Sequence, residues 1–542
     1  RGFNERGKSL KDKMRKIFLN FFSKKNHLEI DPFPVIARWR DDIHLTIASI
    51  AVFQPHVTNG SVRPDKNPIG ISQPCIRLTD LAAVGRSGRH LSTFEMMAHH
   101  AFNRPKEGEM IYWIDECVRY CDEFLCDKLK INPDEITYLE SPWSGGGNAG
   151  PALEVIVGGL ELATLVFMNL AEHPEGKIEI KGIKYKEMDL QIIDTGYGLE
   201  RFCWAAAGSP TIYEAIYPES VSLLKELSHF NKNISELGIS TNTEILMSEL
   251  SKLAGILNID VGTDAELLYK TLVKRLSENN ITISVNDLKK ITEPLSYIYA
   301  IPDHLHALCH MLGDGLVPSN GKAGYLSRMI ARRVCRMKDE LEIPLSLSEL
   351  AKHHISNNME SNELLQSVSE ICKILQLEES RYYEMLRKGQ SAVSTALRGI
   401  PKDIEEIEDD ILFRLSEERG LNPEMVVSIA KEIGWTNLRV RVGFSADMAA
   451  RNAERTKLSS TSKSPQKSFS TEGIPDTLRD FYLDSNMKNF DAVVLKCIKF
   501  GDSVTLFSQL CNLSSHHSLS LDSNFLLRIV LNSEMIFNPL ST

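Results

Sequence analysis

A basic residue, a histidine and an aromatic residue flank a polar loop near residue 80. The apolar run from Ile69 ends at Arg77, a loop rich in Gly and Arg spans 79–89, and the chain returns through His90-Leu-Ser-Thr-Phe94. This order predicts a β-hairpin in which the two basic groups contact phosphate while the phenylalanine ring covers a base. An isolated arginine is more often an ordinary surface residue. The prediction of a nucleotide site therefore depends on the three residues occurring together.

A second segment with regularly spaced glycines follows downstream. Residues 192–201 (IIDTGYGLER) read as a strand that breaks on two glycines into a helix whose first turn contains Arg201. Asp194 lies just before the break. The segment therefore offers a second guanidinium to the nucleotide and a carboxylate to a cationic group.

These two segments resemble motifs 2 and 3 of the class II aminoacyl-tRNA synthetases. Six short motifs resemble, in order and spacing, those of the archaeal alanyl-tRNA synthetases: RWRDD, QPCIRL, GRHLSTFEMMAHHAF, GGGNAGP, LVFM and DTGYGLER. The resemblance is dense from about Met14 to Tyr217, thinner but continuous to about Lys457, and fails near the C-terminus. It implies an α+β fold, with an antiparallel β-sheet catalytic domain followed by an all-α tRNA-recognition domain. It also implies a ligase that activates alanine with ATP and transfers it to the 3′ end of tRNA(Ala).

The resemblance implies a role for each residue of the ATP site. Arg77 would bind the α-phosphate and the attacking carboxylate, because its planar donors match two oxygens. His90 or neighbouring Arg89 would face the β- and γ-phosphates. Phe94 would stack on adenine, although an aromatic residue in a strand is commonly a core residue, and Arg201 would cap the other face of the base. Arg77, His90 and Arg201 are the candidate catalytic residues, and the ATP-binding set is Arg77, Arg89, His90, Phe94, Gly198 and Arg201.

The alanine site follows from the same resemblance. Asp194 matches the ligand of the amino group, since an aliphatic pocket would leave the ammonium unpaired at a heavy cost. Trp143 matches the aromatic residue that walls the pocket, with plain core packing as the alternative, and Val166 would meet the methyl group. Thr164 stands where bacterial relatives carry Asn, and Gly196 completes the set.

Mg²⁺ is expected with ATP, because it neutralises phosphate charge. Its carboxylate ligands are not evident from the sequence, and Glu154 is the one candidate. His99 and His100 are adjacent on a predicted strand and therefore point to opposite faces, so structural roles are preferred over a shared metal ion.

Recognition of tRNA is expected in the helical part of the chain. Arg328, Arg332 and Arg336 recur every four residues on one face of a predicted helix. A solvated charged face is the usual explanation of such a run. The acidity of the rest of the chain nevertheless makes this segment the best candidate for phosphate contact. Asn320 resembles the family residue that helps to read a G·U pair in the acceptor stem, and Asp447 is the candidate for its partner.

Composition and resemblance together predict four segments. They are a catalytic domain (1–218), a helical acceptor-stem recognition domain (219–456), a Ser/Lys-rich linker (457–473) and a truncated or degenerate start of an editing-type β domain (474–542). Zinc is not expected, because the family's editing motif is absent from the last segment. Within the catalytic domain the apolar pattern predicts an amphipathic helix over 9–26 and a strand within 31–58.

Length, composition and net charge limit the classes of protein to which the chain can belong. The chain has 542 residues, 42% hydrophobic and 25% charged, and no apolar run approaches the ~20 residues that a membrane span needs. A cytoplasmic location is expected, and the scattered cysteines of a chain that otherwise reads as intracellular are expected to be reduced thiols. The net charge of −10 excludes a uniformly basic nucleic-acid binder but allows a local basic stripe. A monomer is expected, since the family's oligomerising domain is not found.

Two other functions fit parts of the pattern. A non-catalytic RNA-binding paralogue would keep the fold, but a decayed site should lose its charged residues first, and Arg77, Asp194 and Arg201 are all present. A freestanding editing hydrolase is disfavoured, because the zinc motif is missing while the ATP motifs are present. Alanine-dependent exchange between ATP and pyrophosphate distinguishes the ligase from both.

Overall fold

The structure is a computed structural model. It describes residues 6–40, 42–236, 243–254, 265–278, 281–359, 362–419, 421, 423–441, 444, 494–500 and 503–508.

A ten-stranded sheet carries both sequence segments discussed above. Its main path runs β1-β2-β3-β10-β8-β6-β5, while β7 pairs with β4 and β8, and β9 pairs with β10. All pairs are antiparallel except β1 with β2, which confirms the predicted α+β class with an antiparallel sheet. The strands are β1 (Leu28–Glu29), β2 (Ile69–Ile76), β3 (Thr93–Asn103), β4 (Ile136–Glu140), β5 (Trp143–Gly145), β6 (Asn148–Gly150), β7 (Ala152–Val157), β8 (Leu160–Glu172), β9 (Ile178–Ile180) and β10 (Ile183–Gly198).

One face of this sheet packs against helices. The predicted amphipathic helix is present as α1 (Gly7–Ser23), and its apolar stripe, including Phe18 and Phe22, is fully buried. Phe18 lies 5.0 Å from Tyr197 of β10, measured between ring centroids. His99 of β3 points to the same side and stacks on Phe22 at 4.1 Å. Helix α1 therefore packs on one face of the sheet and holds β3 and β10 in position.

The opposite face is covered by the segment that follows β1. Trp39, Phe53 and their neighbours pack on Val166 and Ile192 in a separate apolar cluster. The predicted strand within 31–58 is wrong: the described residues there form a single bridge between Ile36 and Leu45 and a 3₁₀ turn over Ser49–Val52. Pro32 and Pro34 lack the N–H that a ladder requires, and this segment contributes side chains to a covering layer instead of a strand to the sheet.

Helices follow β10, which confirms the predicted helical region. They share one apolar core with the helix-covered face of the sheet, since Phe18 and Tyr197 belong to the same cluster as Ile298 and Val334. Helix α2 (Ile114–Asp122) lies earlier, between β3 and β4. The helices after β10 are α3 (Leu199–Ala207), α4 (Ile212–Ile216), α5 (Pro218–Leu227), α6 (Phe230–Glu236), α7 (Thr243–Ala254), α8 (Ala265–Glu278), α9 (Val285–Gly313), α10 (Lys322–Glu340), α11 (Leu347–Asn358), α12 (Asn362–Gln366), α13 (Val368–Ala396), α14 (Asp409–Arg419) and α15 (Pro423–Glu432). The predicted boundary at 218/219 stays a prediction.

Two further strands, β11 (Val494–Phe500) and β12 (Ser503–Ser508), pair as an antiparallel hairpin. They lie in the segment predicted to begin a β domain. The predicted linker 457–473 and the rest of 474–542 lie outside the described residues. Within the part of the chain that the structure describes, no helix is both long and apolar enough to cross a membrane.

Candidate active site

Strand pairing aligns the predicted alanine residues on one face of the sheet. Asp194 of β10 pairs with Val166 of β8, and Gly196 pairs with Thr164. Directly opposed residues of an antiparallel pair point to the same side, and the side-chain direction repeats every second residue. Asp194, Val166, Gly196, Thr164 and Gly198 therefore share one surface, which we call the site face.

Three more predicted residues join the site face. Phe94 lies two residues along β3 from the cross-strand partner of Gly198. Glu154 of β7 is the cross-strand partner of Thr164. Trp143 of β5 packs against the apolar cluster that covers this face. The structure thus brings together residues as far apart in the sequence as Phe94 and Gly198.

Arg77 sits over Phe94 at one end of the site face. Its guanidinium carbon lies 5.0 Å from the centroid of the phenylalanine ring, and its Nε donates to the carbonyl of Ile47 at 2.8 Å. The side chain is otherwise exposed. Its positive charge also reaches Asp194, where it acts to lower the pKa of the carboxyl group. Arg77 and Phe94 are therefore in contact at this end of the face, and Asp194 lies further along it, opposite His100.

Arg201 approaches the same end of the strands from α3. Its Nη1 donates to the backbone carbonyl of Glu161 at 2.8 Å and to Oε2 of the Glu161 side chain at 3.0 Å. Burial lowers the pKa of the Arg89 guanidinium, and the positive charge of Arg201 lowers it further. The Arg89 guanidinium lies 6.0 Å from the ring of Trp204. Two arginines from separate segments thus carry positive charge at this end of the sheet.

Glu161 is a site residue that sequence reasoning missed. Besides holding Arg201, it accepts a hydrogen bond from Thr164 Oγ1 at 2.8 Å. The pairing of β7 with β8 shifts between Val155 and Ile156, which leaves Leu162 as the extra residue of a β-bulge. A bulge reverses the side-chain alternation beyond it, and this reversal turns Glu161 onto the site face. No signal in the sequence marks a bulge at this position.

Asp194 is a buried carboxylate without a cationic partner in the described structure. It is 6% exposed. The ring of His100 lies beside it, with His100 Nδ1 3.4 Å from Asp194 Oδ1. Burial lowers the pKa of His100 to about 3, so the ring is neutral and supplies no countercharge. Burial likewise raises the pKa of Asp194 to about 8, against the opposing attraction of Arg77. The site therefore favours a ligand that carries its own positive charge.

The loop between β2 and β3 is anchored on both sides of His90. His90 Nδ1 lies 2.7 Å from Ser87 Oγ, and the His90 carbonyl accepts a hydrogen bond from the Tyr213 hydroxyl. Ser92 N–H donates to Asp303 of α9 at 3.0 Å. The helical part of the chain therefore helps to order the loop that carries Arg89 and His90, which the sequence did not reveal.

The predicted tRNA residues lie on and before α10, apart from the site face. Arg328 donates Nε and Nη2 to the two carboxylate oxygens of Glu378, both at 3.0 Å, and Nη1 to Oδ1 of Asn320. Its charge is thus matched by a carboxylate within the protein. Arg336 lies 5.9 Å from the ring centroid of Tyr297, and burial is the main cause that lowers the pKa of Arg332. Asp447 lies outside the described residues.

The fold and this site define a class of protein. An antiparallel sheet with an arginine–aromatic pair on one hairpin, and an arginine at the start of the helix after a central strand, is the catalytic architecture of the class II aminoacyl-tRNA synthetases. The family described as tRNA synthetases class II (A) matches residues 13–510. The chain belongs to this family.

Three curated proteins to which the chain is similar are alanine–tRNA ligases. The chain is 45% identical to the alanine–tRNA ligase of Archaeoglobus fulgidus over 484 residues, which are 89% of this chain and 51% of that protein. It is 45% identical to the Methanosarcina barkeri enzyme over 484 residues, with the same coverage, and 46% identical to that of Methanothrix thermoacetophila over 486 residues, again 89% and 51%. The chain spans about half the length of these relatives.

Among solved structures, the chain is similar to pyrrolysyl-tRNA synthetase from Desulfitobacterium hafniense. The TM-score is 0.25 at 13% identity, covering 39% of this chain and 74% of that chain. The fold assignment rests on the sheet and on the family match.

Proposed function

We propose that the protein is an alanine–tRNA ligase. In the proposed reaction the carboxylate of alanine attacks the α-phosphorus of ATP, the bond to the bridging oxygen breaks, and pyrophosphate leaves. The resulting alanyl-adenylate then passes its acyl group to the 3′ end of tRNA(Ala), and AMP is released. The main observation in support is Asp194, a buried carboxyl group with a raised pKa and no cationic partner in the described structure. It pairs with Val166 on the face where Phe94 and Arg77 also lie.

Asp194 and Val166 suit the amino-acid half of the reaction. A carboxylate that burial holds at a raised pKa gains most from a ligand ammonium, because the pair restores the stabilisation lost with solvent. Val166 is directly opposite it in the sheet and is buried, so it offers an apolar surface to a small side chain. Alanine combines these two features, and the similarity to alanine–tRNA ligases supports the same substrate.

Arg77, Phe94 and Arg201 suit the nucleotide half. Negative charge builds up on the α-phosphate as the carboxylate attacks, and a guanidinium can donate to two of its oxygens at once. Arg77 is exposed at the end of β2 and can turn from the Ile47 carbonyl towards a phosphate. Phe94 would stack on adenine, with Arg201 on the other face of the base. Arg89 and His90 would face the β- and γ-phosphates.

Mg²⁺ would bind here mainly through the phosphates of ATP. Mg²⁺ is commonly held by substrate phosphates and one or two carboxylates, and the described residues contain no group of three or more His, Cys, Asp or Glu that could hold a metal ion alone. Glu154 lies opposite Thr164 on the site face and is the carboxylate that we assign to the ion. When bound, Mg²⁺ would neutralise phosphate charge and favour the departure of pyrophosphate.

The tRNA would approach through the helical part of the chain. We propose that Asn320 contacts the acceptor stem, with Arg332 and Arg336 near its phosphates, and that 1–218 and 219–456 act as the catalytic and recognition domains. Arg328, engaged with Glu378, would orient Asn320. A monomeric state and a cytoplasmic location stay predictions.

Exchange of ³²P between pyrophosphate and ATP tests the proposal. We expect exchange that depends on alanine, and Arg77→Ala should reduce it by about 10²–10³-fold, the usual loss when a donor to developing charge is removed. Arg63→Ala is the matched control, because Arg63 is an exposed arginine whose partners are the surface carboxylates Glu107 and Glu109. An alanine-independent or absent exchange in the wild type, or equal rates in the two variants, would overturn the proposal.

A further inference from the structure

A buried carboxylate of α9 fastens the end of the β2–β3 loop. Asp303 is fully buried, and its Oδ1 and Oδ2 accept the backbone N–H of Ser92 at 3.0 and 3.1 Å. Oδ2 also accepts the hydroxyl hydrogen of Ser92. One carboxylate therefore holds both donors of a residue two positions after His90.

His304 and Arg333 connect Asp303 to the start of the same loop. Arg333 of α10 donates Nε to His304 Nε2 at 3.1 Å, and His304 Nδ1 lies 3.2 Å from Asp303 Oδ2. Because Nε2 accepts, the ring proton is on Nδ1 and is donated to Asp303. Arg333 Nη2 donates to the carbonyl of Leu81 at 3.3 Å. The chain Arg333–His304–Asp303–Ser92 thus joins two helices to both ends of one loop.

The arrangement is more than packing. A buried carboxylate is costly unless its oxygens are satisfied, and a hydrophobic contact would hold a loop against a helix without that cost. Hydrogen bonds are directional, however, and fix the backbone of Ser92 in a defined orientation. Precise orientation is of use where the neighbouring residues bind a ligand, and Arg89 and His90 lie immediately before this point.

We propose that Asp303, supported by His304 and Arg333, is a positioning residue for ATP, which sets the orientation of Arg89 and His90 towards the β- and γ-phosphates. This inference rests on the proposed function of the loop. It makes the helical region part of the unit that activates the amino acid, in addition to any contact with tRNA.

Two mild substitutions test the inference in the full chain. Ser92→Ala removes the hydroxyl donor, and Asp303→Asn keeps the shape of the side chain but removes its charge. Ser220→Ala is the matched control: Ser220 of α5 is also buried, and its hydroxyl contacts His354 of α11, away from the loop, as that of Ser92 contacts His304. The measurements are KM for ATP and kcat in alanine-dependent exchange, and hydrogen–deuterium exchange of the amides of residues 83–92.

We expect KM for ATP to rise about tenfold in Ser92→Ala, the size of the loss of one hydrogen bond to a charged group. Asp303→Asn should raise it at least as much, with a smaller change in kcat, and the loop amides should exchange faster in both variants but not in Ser220→Ala. A purely structural role would lower the fraction of active protein, and hence kcat, without moving KM. KM within twofold of wild type in Ser92→Ala, or a fall in kcat alone, overturns the inference, and Ser92→Ala decides it if Asp303→Asn fails to fold.

The amide exchange separates this inference from the proposed function. If the wild type shows no alanine-dependent exchange, the proposed function fails. The loop anchor is then judged by the amides alone: faster exchange in both variants supports it, and unchanged exchange overturns it.

Discussion

Replacing Asp194 by Asn should separate substrate binding from stability. The change keeps the size of the side chain but removes the charge that would meet the ammonium of alanine. Because Asp194 is 6% exposed, the bound ammonium would be nearly desolvated. An amide can accept one of its hydrogen bonds but cannot neutralise it.

The expected loss follows from the strength of one charged hydrogen bond. Such a bond contributes about 1.5–3 kcal/mol, and each 1.4 kcal/mol corresponds to about a tenfold change in equilibrium. We therefore expect kcat/KM for alanine to fall about 10- to 150-fold in Asp194→Asn. The folded protein should not suffer, because burial already disfavours the charged form of Asp194 and raises its pKa to about 8. The melting temperature should be unchanged or higher.

The assay is alanine-dependent exchange at varied alanine, together with thermal unfolding of the same preparations. Asp189→Asn is the control, since Asp189 is on the same strand but exposed, with Lys106 as its surface partner at 2.5 Å. It should change kcat/KM less than twofold. If Asp194→Asn lowers the melting temperature while KM for alanine stays unchanged, Asp194 is a structural carboxylate and the reasoning is refuted.

The same group predicts a pH dependence of definite sign. A carboxyl group whose folded pKa is raised stays protonated in the folded state over a range where the unfolded state has lost the proton, so its contribution to the free energy of unfolding falls as pH rises from about 4 to about 8. Alanine binding has the opposite trend, because the ammonium requires the charged form. We expect kcat/KM for alanine to rise up to about pH 8 and then level off. Asp194→Asn should lack both trends, and their persistence in this variant would assign them to another group.

Two further substitutions test contacts that the sequence did not indicate. Glu161→Gln should raise KM for ATP about tenfold, because the amide cannot pair with Arg201 by charge, and an unchanged KM would remove Glu161 from the site. Arg328→Ala should lower the free energy of unfolding by about 1.5–3 kcal/mol in urea titrations, because it takes a charged partner from Glu378, whose side chain is 2% exposed. Arg381→Ala, at the exposed partner of the same carboxylate, should cost less than about 1 kcal/mol, and equal losses would contradict this assignment.

Local sequence was sufficient where a short-range period decides the structure. The helical spacing of apolar residues fixes α1, and the two-residue period of β10 puts Asp194, Gly196 and Gly198 on one face. The Arg77–Phe94 pair also follows from local order, since a hairpin brings the ends of its loop together. These features depend on residues close in the chain, whose geometry is set by the backbone repeat.

Tertiary structure decided the contacts that join distant segments. The bulge at Leu162 turns Glu161 towards Arg201, and Asp303 reaches Ser92 across 211 positions. Likewise, the partner of Arg328 is fifty positions away on α13, so the helical spacing alone could not show that this partly buried arginine pairs with Glu378. Periodicity states which way a side chain points but not what it meets, because the partner depends on strand register and helix packing over the whole chain.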